Sequence, residues 1–176
     1  MKTLYFIRHG LSEHNVLFEK HGKSVFYDKN YYDTKLVEKG HEQSNNLVNT
    51  WKELESIELV VCSSLTRTLE TATNIFKGLD KPIIALDIIK EFPQGLHTCN
   101  KRSDITILKQ KFPKVDFSQV KTNEDMMWRY DSNESISELN DRLNIFKQWL
   151  KNRPETNIAV ISHNNIIGQM KDKHIK

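Results

Sequence analysis

Cysteine, proline and glycine are all scarce in this chain, and each scarcity closes off a class of protein. Two cysteines among 176 residues, Cys62 and Cys99, make no disulfide framework. Cys62 ends the apolar run IELVVC, where a thiol serves as a small buried hydrophobe. The six glycines spell neither a P-loop nor a dinucleotide fingerprint. Four prolines mark no linker, and no repeat or low-complexity tract appears, so one domain over residues 1–176 is expected. No apolar run approaches membrane-spanning length, and no h-region with a cleavage site opens the chain. The expectation is a cytoplasmic protein with no membrane partner.

Metal and nucleic-acid signals are missing too. Seven histidines include no His-Glu-x-x-His pair, and His9 and His14, five apart, lie off one helical face. Neither a metal nor another cofactor is expected. The net charge of +3 is mild, and the lysine-rich stretches KQKFPK and KDKHIK carry no interleaved stacking aromatics. No nucleic-acid partner is expected, and the oligomeric state is not readable.

What is present alternates. Residues 3–7 (TLYFI), 57–62 (IELVVC), 82–86 (PIIAL) and 157–162 (NIAVIS) read as buried strands, apolar on both faces. Between them, residues 38–56 place Leu47, Trp51 and Leu54 at helical spacing. Residues 64–79 line up Leu65, Leu69, Ala72, Ile75 and Phe76, with Gly78 as a stop. Residues 135–154 open on Ser-x-x-Glu, a capping-box pattern, with Pro154 beyond their end. Buried strands alternating with helices predict an α/β three-layer sandwich, its mainly parallel central sheet flanked by helices. Residues 87–132, holding Pro93, Gly95 and Pro113 and one short helical pattern at 103–111, read as an irregular insertion over one rim. Residues 18–35 read as a second loop, polar and rich in aromatics.

Ligands of open α/β sheets bind beyond the carboxyl ends of the strands. There the first strand presents Arg8-His9-Gly10, the second Ser63-Ser64 with Arg67 a turn further on, the third Glu91, and the fourth Ser162-His163. Only six of the 26 cationic residues are arginine, and two of those six stand at these ends. Arginine's planar fork suits phosphoryl oxygens. A neutral histidine is a nucleophile toward phosphorus once its second nitrogen is fixed by a hydrogen bond. A second histidine stabilises developing charge, and a carboxyl with a raised pKa protonates a departing alkoxide. Asn15 and the amides opening the helix after Gly10 add donors.

The same residues carry a resemblance. IRHGLSEHN resembles the Arg-His-Gly signature of the histidine phosphatase superfamily, the phosphoglycerate mutase-like family. YDTKLVEKGHEQS is similar to its Asp-x-x-Leu-Thr-x-x-Gly-x-x-Gln segment through Asp33, Leu36, Gly40 and Gln43. CSSLTRTLETA resembles its Ser-x-x-x-Arg-x-x-x-Thr-Ala run, and AVISHNNII the stretch with its second histidine. KEFPQGLHTCNKR resembles a subgroup with a Glu followed by Cys-Asp-Lys-Arg. The resemblance implies that His9 becomes a phosphohistidine, that Arg8, Arg67, His163 and Asn15 hold the phosphoryl oxygens, and that Glu91 is the proton donor. Lys101 and Arg102, and in the same way Arg129, are candidates for reading a second anionic group.

The chain departs from the pattern at Leu11 (glutamate in many mutases), His14 (tryptophan), Val37 (threonine, a helix cap) and Asn100 (aspartate). It also ends 13 residues after His163, where family members generally continue. Mutases of the family are typically longer, so the expected activity is a phosphomonoester phosphatase acting on a small phosphorylated substrate. The alternatives are a mutase on the same machinery and a catalytically weak phosphate-binding module.

Overall fold

The computed structural model describes residues 2–173. Five parallel strands form one sheet in the order β1-β5-β2-β3-β4: β1 (Thr3–Arg8), β2 (Leu59–Ser63), β3 (Ile83–Leu86), β4 (Val115–Asp116) and β5 (Asn157–Ser162). Six helices accompany them: α1 (Glu13–His21), α2 (Glu38–Thr50), α3 (Thr66–Ile75), α4 (Ile105–Lys111), α5 (Ile136–Lys151) and α6 (Asn164–Lys173).

The continuous apolar runs follow from burial on both faces. Leu59 and Val61 of β2, with Ile158 and Val160 of β5, meet Leu139, Leu143 and Phe146 of α5 and Ile166 of α6. Val60, Cys62, Ala159 and Ile161 point the other way, into Leu69, Ala72 and Ile75 of α3 and Leu108 of α4. This is the expected three-layer α/β sandwich.

Boundaries differ from the sequence reading where tertiary contacts decide them. The helix expected over 38–56 stops at Thr50, because Trp51 turns out to pack on Tyr5 (ring centroids 5.5 Å apart) and Phe76 (6.1 Å). The helix expected over 64–79 occupies only Thr66–Ile75, with Gly78 at φ +83° just beyond. Ser135 accepts from the Glu138 N–H as the capping-box pattern predicts. Val37 opens α2 with no side-chain cap. The stretch 87–132 is less irregular than expected: it contains α4 and β4, and β4 extends the sheet beside β3. The 18–35 loop contains the end of α1 and a 3₁₀ turn, Gly22–Tyr27. The lysine-rich tail KDKHIK lies partly outside the described residues.

Two glycines weld the loop after β1 to the start of α2. A Cβ on Gly10 would sit 2.4 Å from the Gly40 carbonyl oxygen, and one on Gly40 would sit 2.1 Å from that of Leu11. The approach is sealed by the Val37 N–H donating to the Leu11 carbonyl (3.0 Å) and by a bridge between Ser12 and Leu36. Backbone meets backbone here, so neither side yields. Gly40→Ala is expected to cost about 1–3 kcal/mol or more through overpacking. Gly168→Ala, within α6 and with open space around the added methyl, is expected to gain about 0.5–1 kcal/mol. Urea denaturation of the pair checks this, and equal effects would refute the packing account.

Candidate active site

β1, β5 and β2 end side by side, Arg8 registering with Ser162 and Cys62 with Ile161. Their carboxyl ends therefore bring Arg8-His9, Ser162-His163 and Ser63 together although the sequence separates them. The His9 N–H donates to the Ser162 carbonyl (3.1 Å), and the His9 and His163 rings meet edge-on with centroids 5.2 Å apart.

Hydrogen-bond partners fix the state of each imidazole. His9 Nδ1 lies 2.7 Å from the Gly10 carbonyl oxygen, which only accepts, so Nδ1 carries the proton and Nε2 keeps its lone pair. Ser63 Oγ takes the Leu65 N–H (3.4 Å) and lies 2.8 Å from His163 Nε2. Among the described residues Nε2 is the one acceptor within reach of the Ser63 hydroxyl, so Ser63 donates to it and the proton rests on His163 Nδ1, a buried atom with no protein partner. Burial first, and the Arg67 guanidinium second, hold both histidines well below their usual pKa and therefore neutral.

Arg67 stands in the first turn of α3 and is completely buried. One terminal nitrogen donates to the Cys99 carbonyl (2.7 Å), the other to Asn100 Oδ1 (3.0 Å), and Nε has no partner. Asn100 is turned by donating to the Pro93 carbonyl (3.0 Å). Asn15 is held as tightly. The Ser12 backbone N–H donates to its Oδ1 (3.2 Å) and the Ser12 hydroxyl does too (2.6 Å), so its Nδ2 meets His14 Nε2 (3.2 Å). His14 accepts there and gives its Nδ1 proton to Thr34 Oγ1 (2.7 Å) and Ser12 Oγ (2.9 Å).

Glu91 follows the turn after β3. Arg142 binds the carbonyls of Ile88 (2.9 Å) and Lys90 (2.7 Å), and the buried Lys90 ammonium pairs with Asp125 (2.5 Å), so the backbone leading into Glu91 is fixed, while the Phe92 N–H donates to its carboxyl (2.7 Å). Loss of water around it raises its pKa, against the opposing pull of the Phe92 N–H and Arg67. Arg8, His9, His14, Asn15 and Glu91 all line one cavity of about 450 Å³.

Lys101 and Arg102 do not join them. The Lys101 ammonium sits within 4.9–5.1 Å of the ring centroids of Tyr32, Trp128 and Tyr130 and donates to the Tyr130 hydroxyl (2.8 Å). Arg102 spends every guanidinium donor on Asp87 and on the carbonyls of Thr122, Ser103, Asn123 and Glu124. Both were candidates for reading a substrate anion, and their charges are used inside the fold instead. Arg129 pairs with Glu138 at 2.8 Å.

Other positioning residues carried no chemical signal in the sequence. Asp33, at φ +44°, accepts from the Thr66 N–H and hydroxyl (both 2.8 Å) and from the Ser103 N–H (2.9 Å). It caps α3 from a distance, since Leu65 at the N-cap has no side-chain oxygen. Thr71 Oγ1 accepts from the Gly10 N–H (3.1 Å) and Gln43 Oε1 from that of Leu11 (2.8 Å). Their membership of the quoted motifs was the only signal. Among the described residues no group of three or more His, Cys, Asp or Glu is placed to hold a metal ion, and no helix is long and apolar enough to cross a membrane.

Comparison with known proteins bears on the whole arrangement. The family model of the histidine phosphatase superfamily, branch 1, matches residues 4–172. The chain belongs to that superfamily. Among curated relatives it is similar to two phosphoglycerate mutase-like proteins of Arabidopsis thaliana. One is 29% identical, covering 94% of this chain and 72% of the relative; the other is 32% identical, covering 94% and 69%. Among solved structures it resembles the alpha-ribazole phosphatase of Shigella flexneri, with TM-score 0.66, 23% identity and coverage of 96% and 77%. It also resembles a mycobacterial glucosyl-3-phosphoglycerate phosphatase, with TM-score 0.61, 18% identity and coverage of 97% and 80%. At those identities the structures show that the histidine phosphatase fold is shared.

The neutral, buried state of His14 has a measurable consequence. Burial, then Arg67, depress its pKa far below 6.5. Below that pH the unfolded chain binds a proton on His14 that the folded chain does not, so stability is full above 6.5 and falls as the pH drops through it. His14→Gln is expected to reduce that acid slope by up to about 1.4 kcal/mol per pH unit. Urea denaturation of both proteins between pH 7 and 5 checks this, and parallel profiles would contradict it.

Proposed function

We propose that this protein is a phosphomonoester phosphatase that works through a phosphohistidine on His9. The observation that supports the reading most is the tautomer of His9: its Nδ1 proton is spent on the Gly10 carbonyl, which leaves a basic Nε2. Beside it stand two buried donors without protein partners, Arg67 Nε and His163 Nδ1. Unpaired buried donors are costly to keep. Phosphoryl oxygens would satisfy both at the point where charge builds up.

In the first half-reaction His9 Nε2 forms a bond to phosphorus as the phosphorus–alkoxide bond breaks, and the Glu91 carboxyl gives its proton to the leaving oxygen. In the second, the Glu91 carboxylate takes a proton from water as that water attacks phosphorus and the P–N bond breaks. Phosphate leaves, and His9 and Glu91 return to their starting states. Arg8, Arg67, Asn15 and His163 hold the non-bridging oxygens throughout. The mutase-like names of the curated relatives keep phosphoryl return to the substrate as a second reading. The engagement of Lys101, Arg102 and Arg129 away from the cavity favours hydrolysis, because retaining a doubly anionic intermediate calls for further cations.

His9→Ala is expected to abolish phosphate release and the trapping of radiolabelled phosphohistidine; activity surviving in this variant would overturn the nucleophile assignment. Glu91→Gln is expected to lower kcat/KM on alkyl phosphates by about 10²–10⁴, and far less on 4-nitrophenyl phosphate, whose leaving group needs no proton. Because the raised Glu91 pKa holds the acid form above the usual carboxylate range, alkyl phosphate hydrolysis should fall as pH rises through that value. Glu91→Gln should remove this limb. A limb unchanged in Glu91→Gln would place the proton donor elsewhere.

A further inference from the structure

One wall of the cavity is aromatic, and the catalytic groups make no use of it. Phe18 from α1, Phe26 from the 3₁₀ turn and His97 from the following loop stack in series. Their centroids are 5.2 and 4.8 Å apart, and their planes are inclined by 19° and 15°. All three line the same cavity as His9 and Glu91. Phe26 thus stacks with two neighbours, and the three rings form one aromatic stretch of the lining. Another aromatic ring packs well on such a stretch, offset-stacked or edge to face.

The wall is built in advance. Trp128 Nε1 donates to the His97 carbonyl (2.9 Å), and Thr98 Oγ1 donates to the carbonyls of Asp28 (2.8 Å) and Phe26 (3.3 Å). Tyr27 backs His97 edge-on at 5.5 Å. Phe18, at the outer end, is 41% exposed, which leaves part of its ring open to a ligand in the cavity. Burial lowers the pKa of His97, so the wall stays uncharged at neutral pH.

Charge narrows the choice further. Away from Arg8 and the catalytic groups the lining is neutral, with Asn100, Asn164 and Asn165 among its polar members. The cations of the neighbouring segment are occupied: Lys101 by its aromatic box, Arg102 by Asp87, Arg129 by Glu138. With Arg8 assigned to the phosphoryl group, a carboxylate or second phosphate on the substrate would lose water here and find no further cation in the lining.

Resting on the phosphatase reading, we infer that the substrate is a phosphomonoester whose alcohol is uncharged and carries a flat aromatic ring, seated against Phe18, Phe26 and His97. These three residues determine specificity and take no part in bond making. The class excludes phosphoglycerate and bisphosphates.

Hydrolysis of 2-phenylethyl phosphate, ethyl phosphate and 3-phosphoglycerate tests this, since the first two release alcohols of similar acidity. The kcat/KM of phenylethyl over ethyl phosphate should be about tenfold or more, the size of one aromatic contact with its burial, and 3-phosphoglycerate should be the poorest of the three. Phe18→Ala and Phe26→Leu should each compress the phenylethyl-to-ethyl ratio severalfold. Phe18→Ala, at the exposed end, keeps the test open if Phe26→Leu folds badly. Binding of 3-phenylpropylphosphonate against propylphosphonate, by calorimetry, reads the same ratio without turnover. Phosphate release with a ratio near one, or a ratio unmoved in Phe18→Ala, would overturn the inference and leave the phosphatase reading standing. Absence of phosphate release from all three, with a phosphonate ratio of tenfold, would overturn the phosphatase reading and leave the aromatic site. A phosphonate ratio near one would overturn the aromatic site whatever the turnover.

Discussion

Everything at this site is arranged around a cation that the fold keeps out of water. Arg67 is fully buried, yet its direct partners are a carbonyl and the neutral amide of Asn100. An aspartate at position 100 would pair with the guanidinium and satisfy it. The amide orients the group while leaving its charge largely unspent, which is costly to the folded state unless an anion arrives. The three histidines obey the same constraint. Each sits where burial and Arg67 together exclude a second positive charge, so each is neutral, with a tautomer fixed by a neighbouring oxygen or amide.

Holding such a group still needs supports from far along the chain. Asp33 caps α3 at Thr66, one residue before Arg67, and takes the Ser103 N–H from the segment that lies over the rim. Gly10 and Gly40 bring two backbones into contact, and Thr71 and Gln43 collect the amides of the loop that carries His9. The quoted motifs thus divide into residues that face phosphorus and residues that hold loop amides. Most of the glycine, glutamine and threonine in them belongs to the second kind.

The sheet was legible because strands buried on both faces leave unbroken apolar runs, and strand ends of a parallel sheet share one rim. That reasoning reached Arg8, His9, Arg67, Glu91 and His163 one by one. It missed β4, whose two residues leave no pattern, and α6, whose polar sequence after His163 reads as tail. It left Lys101 and Arg102 as candidates for the substrate because a cation in an insertion looks the same whether it faces substrate, Asp87 or a ring. Only the folded arrangement decides between these, since it brings Tyr32 to Trp128 and Tyr130, 96 and 98 residues further along the chain. The Phe18–Phe26–His97 wall was hidden for the same reason: its members come from α1, a turn and a distant loop.

The neutral imidazoles have a consequence for binding itself. A phosphate dianion entering beside His163 and His14 would lift the proton affinity of both, since the charge it brings opposes the effect of Arg67. Because both start far below their usual value, this linkage acts only on the acid side. There a bound anion would draw a proton in with it and, by thermodynamic reciprocity, be held more tightly as the pH falls.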